Sequence, residues 1–162
     1  MDIPYRAFDT KGETYAYLLE QLRVILADTE DRTAGLANAS SALFLLLPKL
    51  NWAGFYLMKD DALVLGPFQG KPAVSRIPVG SGVCGTAVLT KATQLVEDVH
   101  ACENHIACDL NSRSEIVVPL ERGGRLFGVL DIDSPVKARF DEEDRTGLEQ
   151  AAEMISEWLE DK

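Results

Sequence analysis

Tyr15, Leu18, Leu19, Leu22, Ile25 and Leu26 recur at spacings of three and four, the pattern of one buried helix face. A second helical stretch runs from about Thr33 into Phe44–Leu47, and Pro48, which cannot donate a backbone hydrogen bond, marks its end. The short polar link Ala27–Arg32 predicts that these N-terminal helices, about 14–47, pack antiparallel. From Trp52 the period changes. Trp52–Met58 is aromatic and apolar, Lys59-Asp60-Asp61 supplies a turn, and Ala62–Leu65 completes a predicted β-hairpin. Pro67, Gly70, Pro72, Pro78, Gly80, Gly82 and Gly85 then punctuate an irregular stretch. Within and after it, Val83–Thr90 is expected as a short helix and Gln94–Val96 as a strand.

Glu97–Arg113 is polar and without a clean period, and a loop of that length inside a compact domain is usually functional. Ser114–Leu120 and Leu126–Asp133 flank Glu121-Arg122-Gly123-Gly124-Arg125, which predicts a second hairpin. Asp141 caps a last helix, about 141–160, whose apolar stripe is Leu148, Ala151, Ala152, Ile155, Trp158 and Leu159. With no internal repeat or linker, residues 1–162 are expected to form a single α+β domain. Its antiparallel sheet and active-site loops, about 51–134, would be covered by the N- and C-terminal helices.

Composition narrows the function. Sixteen Lys and Arg against 26 Asp and Glu leave a formal net charge of −10. Such a surface repels phosphate backbones and anionic lipid, so neither a nucleic-acid nor a membrane partner is expected. The N-terminus shows no basic segment followed by a long apolar run, and the longest apolar run, Ala42–Pro48, is too short to span a bilayer. Three cysteines make no disulfide framework, which points to a reducing cytoplasm.

Cys84 lies in Gly80-Ser81-Gly82-Val83-Cys84-Gly85-Thr86, at the predicted helix entrance. There the helix dipole and free N–H groups would lower its pKa; the alternative is a small buried residue in a tight turn. Gly80-x-Gly82-x-x-Gly85 matches a dinucleotide fingerprint only formally, because no buried parallel strand precedes it and no βαβ unit follows. Cys102 and Cys108 share the nine-residue stretch His100–Cys108 with His100 and His105. That set could ligate zinc, form a Cys–His nucleophile pair, or be an incidental polar loop. Lacking a C-x-x-C and a second ligand pair, it predicts no metal site. Asp131 and Asp133, two apart near a strand end, share one face of the sheet, and Glu115 begins another strand. They could simply lead into the turn at Ser134-Pro135. Crowded carboxylates also raise one another's pKa, which would provide an acid near neutrality. Trp52 and Tyr56, four apart on one strand, share a face and by themselves read as core.

Several longer segments together resemble the free methionine-(R)-sulfoxide reductases, single-domain enzymes of GAF fold. They are Asn51-Trp52-Ala53-Gly54-Phe55-Tyr56-Leu57, Leu65–Ala73, Gly82–Ala87, His105-Ile106-Ala107-Cys108-Asp109, Ser114–Val117, Gly128–Ser134 and Arg139–Asp144. The resemblance runs in order from about Leu50 to Leu148. It implies reduction of free methionine-(R)-sulfoxide to methionine, a repair of oxidative damage. Cys108 takes the family's attacking position, and Cys84 that of the cysteine in the Gly-rich turn. Trp52, Tyr56, Glu115, Asp131 and Asp133 take the positions of the substrate cage. The implied cycle passes through a sulfenic acid and a disulfide, needs no resident cofactor, and is closed by an external dithiol such as thioredoxin.

One position departs from the family pattern. Val74 stands where a resolving cysteine usually follows Lys-x-Ala, which leaves Cys84, Cys102 or the external reductant to meet the oxidised Cys108. Cys84 is the expected partner and Cys102 the alternative. GAF relatives often pair through terminal helices, so the resemblance admits a homodimer. The competing function is a non-catalytic GAF-type sensor of a small molecule. The ordered cysteine-plus-carboxylate set, with no output domain attached, favours the enzyme.

Overall fold

The computed structural model describes residues 3–101 and 110–162. Helix α1 (Lys11–Ala27) starts three residues before the apolar pattern implies, because Thr10 and Glu13 form a reciprocal capping box. Thr10 Oγ1 accepts from the Glu13 amide at 3.2 Å, and Glu13 Oε2 accepts from the Thr10 amide at 3.2 Å. Helix α2 (Arg32–Leu46) is capped by Asp31 and ends just before Pro48. Leu19, expected inside, is only half-buried.

Six strands follow: β1 (Trp52–Lys59), β2 (Ala62–Gly70), β3 (Arg76–Pro78), β4 (Gln94–Val96), β5 (Ser114–Arg122) and β6 (Arg125–Ser134). Helix α3 (Gly82–Thr90) lies between β3 and β4, a 3-10 turn (Val99–Ala101) follows β4, and α4 (Glu142–Glu160) follows β6. The strands form one sheet in the order β3-β2-β1-β6-β5-β4, every neighbouring pair antiparallel. The α+β class with an antiparallel sheet is therefore the observed one.

Two features depart from the sequence reading. Strand β2 does not stop before Pro67 but continues to Gly70. Gly54 pairs with Phe68 while Tyr56 pairs with Leu65, so Gly66 and Pro67 together oppose Phe55 in a bulge. A bulge needs no ladder N–H from its extra residue, which is why a proline is tolerated there. Strand β3, unexpected from its three residues, exists because Ile77 pairs with Leu63 and is buried.

The sheet is buried on both faces. On one, Ala53, Phe55, Ile116, Val118, Leu130 and Ile132 pack with the apolar stripes of α1, α2 and α4. Helix α2 lies on β1 and β2, α4 on β5, and α1 over both helices. On the other face, Trp52, Tyr56, Val117 and Val129 pack with Val83, Cys84, Ala87 and Val88 of α3. Strands covered on both sides have no solvent-facing row, so a polar side chain on the α3 face is buried by default.

Candidate active site

That second face holds the polar residues. Trp52 on β1 pairs with Asp133 on β6, and Asp133 pairs with Glu115 on β5, so the three form one row across the central strands. One pleat deeper, Gly54 pairs with Asp131, which pairs with Val117. Period-two alternation therefore brings Glu115, Asp131 and Asp133 together on the face where Trp52 and Tyr56 stand. Each is about 5% exposed or less. The sequence places these five on one sheet; the cross-strand register makes them neighbours.

Aromatic rings wall the row. Trp52 stacks on Phe68 at 5.2 Å between centroids and 13° between planes, and on Tyr56 at 5.9 Å and 22°. The Trp52 indole Nε1–H donates to the Lys71 carbonyl at 3.1 Å, and the Tyr56 hydroxyl donates to the Val74 carbonyl at 2.8 Å. The segment carrying Val74 is thus pinned to the site through its backbone. Gly54 makes the stack possible, because a Cβ there would fall on the Cα and Cβ of Phe68. Phe68 was not singled out by sequence reasoning: it lies beyond a proline and next to no polar motif, and only the bulge turns it onto Trp52.

Cys84 of α3 descends onto the carboxylates. Its Sγ and one oxygen each of Glu115 and Asp131 lie within 4.8 Å of one another, and all three residues are buried. Asp131 Oδ1 is buried with no hydrogen-bond partner among the described residues. Burial pushes the Asp131 carboxyl up to about 6, against the opposing pull of the neighbouring Glu115 and Cys84 groups. These donor types could also serve a metal ion.

The thiol behaves opposite to the sequence expectation. Cys84 sits in the first turn of α3, yet its pKa is raised well above the ordinary thiol value rather than lowered. Burial is the main cause, followed by the negative charge of Asp131 and Glu115, with Asp133 adding to it. The half-charge of a helix N-terminus cannot outweigh desolvation plus three carboxyls.

Cys102, His105 and Cys108 lie outside the described residues, so the expected nucleophile and the alternative resolving thiol have no described geometry. His100 is exposed in the 3-10 turn that precedes them. Beside the row, an open cleft of about 720 Å³ is lined by Asn51, Gly70, Lys71, His100, Arg113 and Pro135 among others. Gly70 pairs with Trp52, and Arg113 and Pro135 adjoin the ends of β5 and β6, so the cleft opens at the edge of the aromatic-carboxyl row.

The GAF domain family model matches residues 18–157. A free methionine-R-sulfoxide reductase of Escherichia coli (strain K12) is 52% identical over 149 residues, covering 92% of this chain and 90% of the relative. A protein of the same name from Saccharomyces cerevisiae is 43% identical over 151 residues, covering 86% and 84%. The X-ray structure of free methionine-R-sulfoxide reductase from Neisseria meningitidis in complex with its substrate matches with a TM-score of 0.93. That match has 43% identity and covers 98% of this chain and 95% of the other.

Proposed function

Because the chain belongs to the GAF-domain family and, within it, to the free methionine-R-sulfoxide reductases, we propose that its buried carboxyl–thiol–tryptophan face carries that reaction. The observation that carries this reading is the buried cluster of Glu115, Asp131 and Cys84 on the face of Trp52. A sulfoxide is a poor electrophile until its oxygen accepts a proton. Asp131, poised near 6 by burial and backed by Glu115, has the acidity to give one close to neutral pH.

In the proposed cycle the Cys108 thiolate attacks the sulfoxide sulfur while the carboxyl pair protonates its oxygen. Methionine departs and Cys108 is left as a sulfenic acid. The Trp52 ring, held by the Lys71 carbonyl and the Phe68 stack, offers an apolar face to the S-methyl group. Asp133, next to Trp52 in the row, is assigned to the substrate ammonium. Cys84 closes a disulfide with Cys108, and a dithiol such as thioredoxin reduces it. The cycle uses no metal and no resident cofactor.

An NADPH-coupled thioredoxin assay tests the assignment with the free R sulfoxide and its S epimer. We expect turnover of the R form alone and its loss in Cys108→Ser, since a hydroxyl cannot replace the thiolate. Wild-type turnover in that variant would remove Cys108 from the mechanism. Binding of the R sulfoxide without release of methionine would make the domain a sensor instead.

A further inference from the structure

The face between α3 and the sheet gathers carboxyls around a thiol. Cys84 Sγ on α3 and one oxygen each of Glu115 on β5 and Asp131 on β6 lie within 4.8 Å of one another, and all three residues are buried. We propose that these side chains form a binding site for one thiophilic divalent cation, zinc by the chemistry of the donors, and that the bound ion stops sulfoxide reduction. The metal site stands on the geometry alone; its blocking effect rests on the reading above.

The spacing suits a small ion. Zinc takes thiolate sulfur at about 2.3 Å and carboxylate oxygen at about 2.0–2.2 Å, which sets tetrahedral ligand atoms roughly 3.3–3.7 Å apart. From separations of at most 4.8 Å, closing the shell asks each side chain to move by about an ångström or less. Among the described residues no fourth donor joins the three, so water fills the fourth position. Magnesium and calcium take shells of six or more oxygens, and a thiolate ligand selects against both.

Two further features call for a cation. Asp131 is only 3% exposed, and its Oδ1 is buried with no hydrogen-bond partner among the described residues, a state that buried polar atoms ordinarily avoid. The charges also lack a counterweight. The groups that act on Cys84 are the carboxyls of Asp131, Glu115 and Asp133, and those that act on Asp131 are Glu115 and Cys84; none is a cation. A divalent ion neutralises charge that burial otherwise penalises. Its binding expels the Cys84 proton to solvent and leaves the thiolate as a ligand. Coordinated to the ion, Asp131 no longer has a proton for the sulfoxide oxygen.

The test uses a full-length host in which Cys102→Ser and Cys108→Ser leave Cys84 as the single thiol. Cobalt(II), which replaces zinc in such sites and absorbs light, is titrated in and then displaced. We expect one ion per chain, a near-ultraviolet thiolate-to-cobalt charge-transfer band and the strong visible absorption of four-coordinate cobalt. Zinc should remove both bands at one equivalent, and excess magnesium should leave them unchanged. Cys84→Ser in this host should abolish the charge-transfer band. Asp131→Asn, which keeps the thiol, should weaken zinc binding by about tenfold or more. Circular dichroism checks that both variants are folded.

A host without the charge-transfer band would overturn the metal site. So would zinc binding that is unchanged in folded Asp131→Asn, or cobalt that magnesium displaces. The blocking effect is read by single-turnover release of methionine from the reduced wild type, with no thioredoxin present. One equivalent of zinc should slow that release by at least about tenfold, since it removes the acid, and a chelator should restore it. Release at the full rate from zinc-loaded protein would overturn the blocking. The cobalt titration involves no sulfoxide, so a failure of the metal site and a failure of the enzymatic reading are told apart.

Discussion

At the residue scale, the acid role proposed for Asp131 comes with a cost in stability. Its carboxyl titrates at about 3.8 in an unfolded chain and at about 6 in the fold. Below 3.8 both states hold the proton and the site costs nothing. As pH rises from there through about 6, the unfolded chain releases the proton while the folded chain must retain it or bury a charge. Stability is therefore lost across that window, and the full penalty persists above it. A shift of roughly two units corresponds to on the order of 2–3 kcal/mol at this fully buried group. Asp131→Asn should lower turnover by about a hundredfold or more and raise the melting temperature at pH 7. Thermal unfolding of the two proteins side by side should show that gap shrinking toward pH 4; a gap independent of pH would mean that the burial cost lies elsewhere.

At the element scale, one buried carboxylate ties the helical layer together. Asp144, in the first turn of α4, receives the Tyr15 hydroxyl of α1 at 2.8 Å, Lys11 Nζ at 2.6 Å, and Arg139 Nη1 at 3.0 and 3.1 Å. The Asp144 side chain is 0% exposed and that of Arg139 only 8%. Asp144→Ala should cost about 3–5 kcal/mol in urea unfolding, because it strands a buried guanidinium rather than merely removing a bond. A loss under about 1 kcal/mol, the range of exposed pairs, would show that solvent takes over the partners. The helices, both hairpins and the Asp141 cap were legible because period and capping are local properties. The continuation of β2 past Pro67 was not. Whether a proline breaks a strand depends on how it pairs with the partner strand, and here Pro67 shares a bulge with Gly66 opposite Phe55.

At the scale of the whole molecule, a sheet sealed on both faces would make the proposed site selective. Trp52, Glu115, Asp131 and Asp133 are all buried, on the face opposite the α1–α2–α4 layer. A free amino acid brings an ammonium that Asp133 can pair with. A peptide-bound residue brings neutral amides and flanking chain into the same enclosure, and the ammonium contact proposed for Asp133 is not made. In the coupled assay, methionine-R-sulfoxide within a peptide should be turned over at least about a hundredfold more slowly than the free form. Comparable rates would mean that the ammonium is not recognised. No helix among the described residues is long and apolar enough to cross a membrane.

The sequence by itself determined the α+β class, the strands that carry Trp52, Tyr56, Glu115, Asp131 and Asp133, and the shared face of Asp131 with Asp133 and of Trp52 with Tyr56. Each follows from a period of two or of three to four, and needs no knowledge of neighbouring strands. Its motifs also carried the resemblance that named the family. Only the tertiary structure decided the register that sets Trp52, Asp133 and Glu115 in one row, and the bulge that turns Phe68 onto the indole. It also reversed the expectation for Cys84. A helix entrance is visible in sequence, but the carboxyls that face it come from strands β5 and β6, some thirty and fifty residues further on. A pKa is set by everything within a few ångströms, and in this protein those neighbours are assembled by pairing across the sheet.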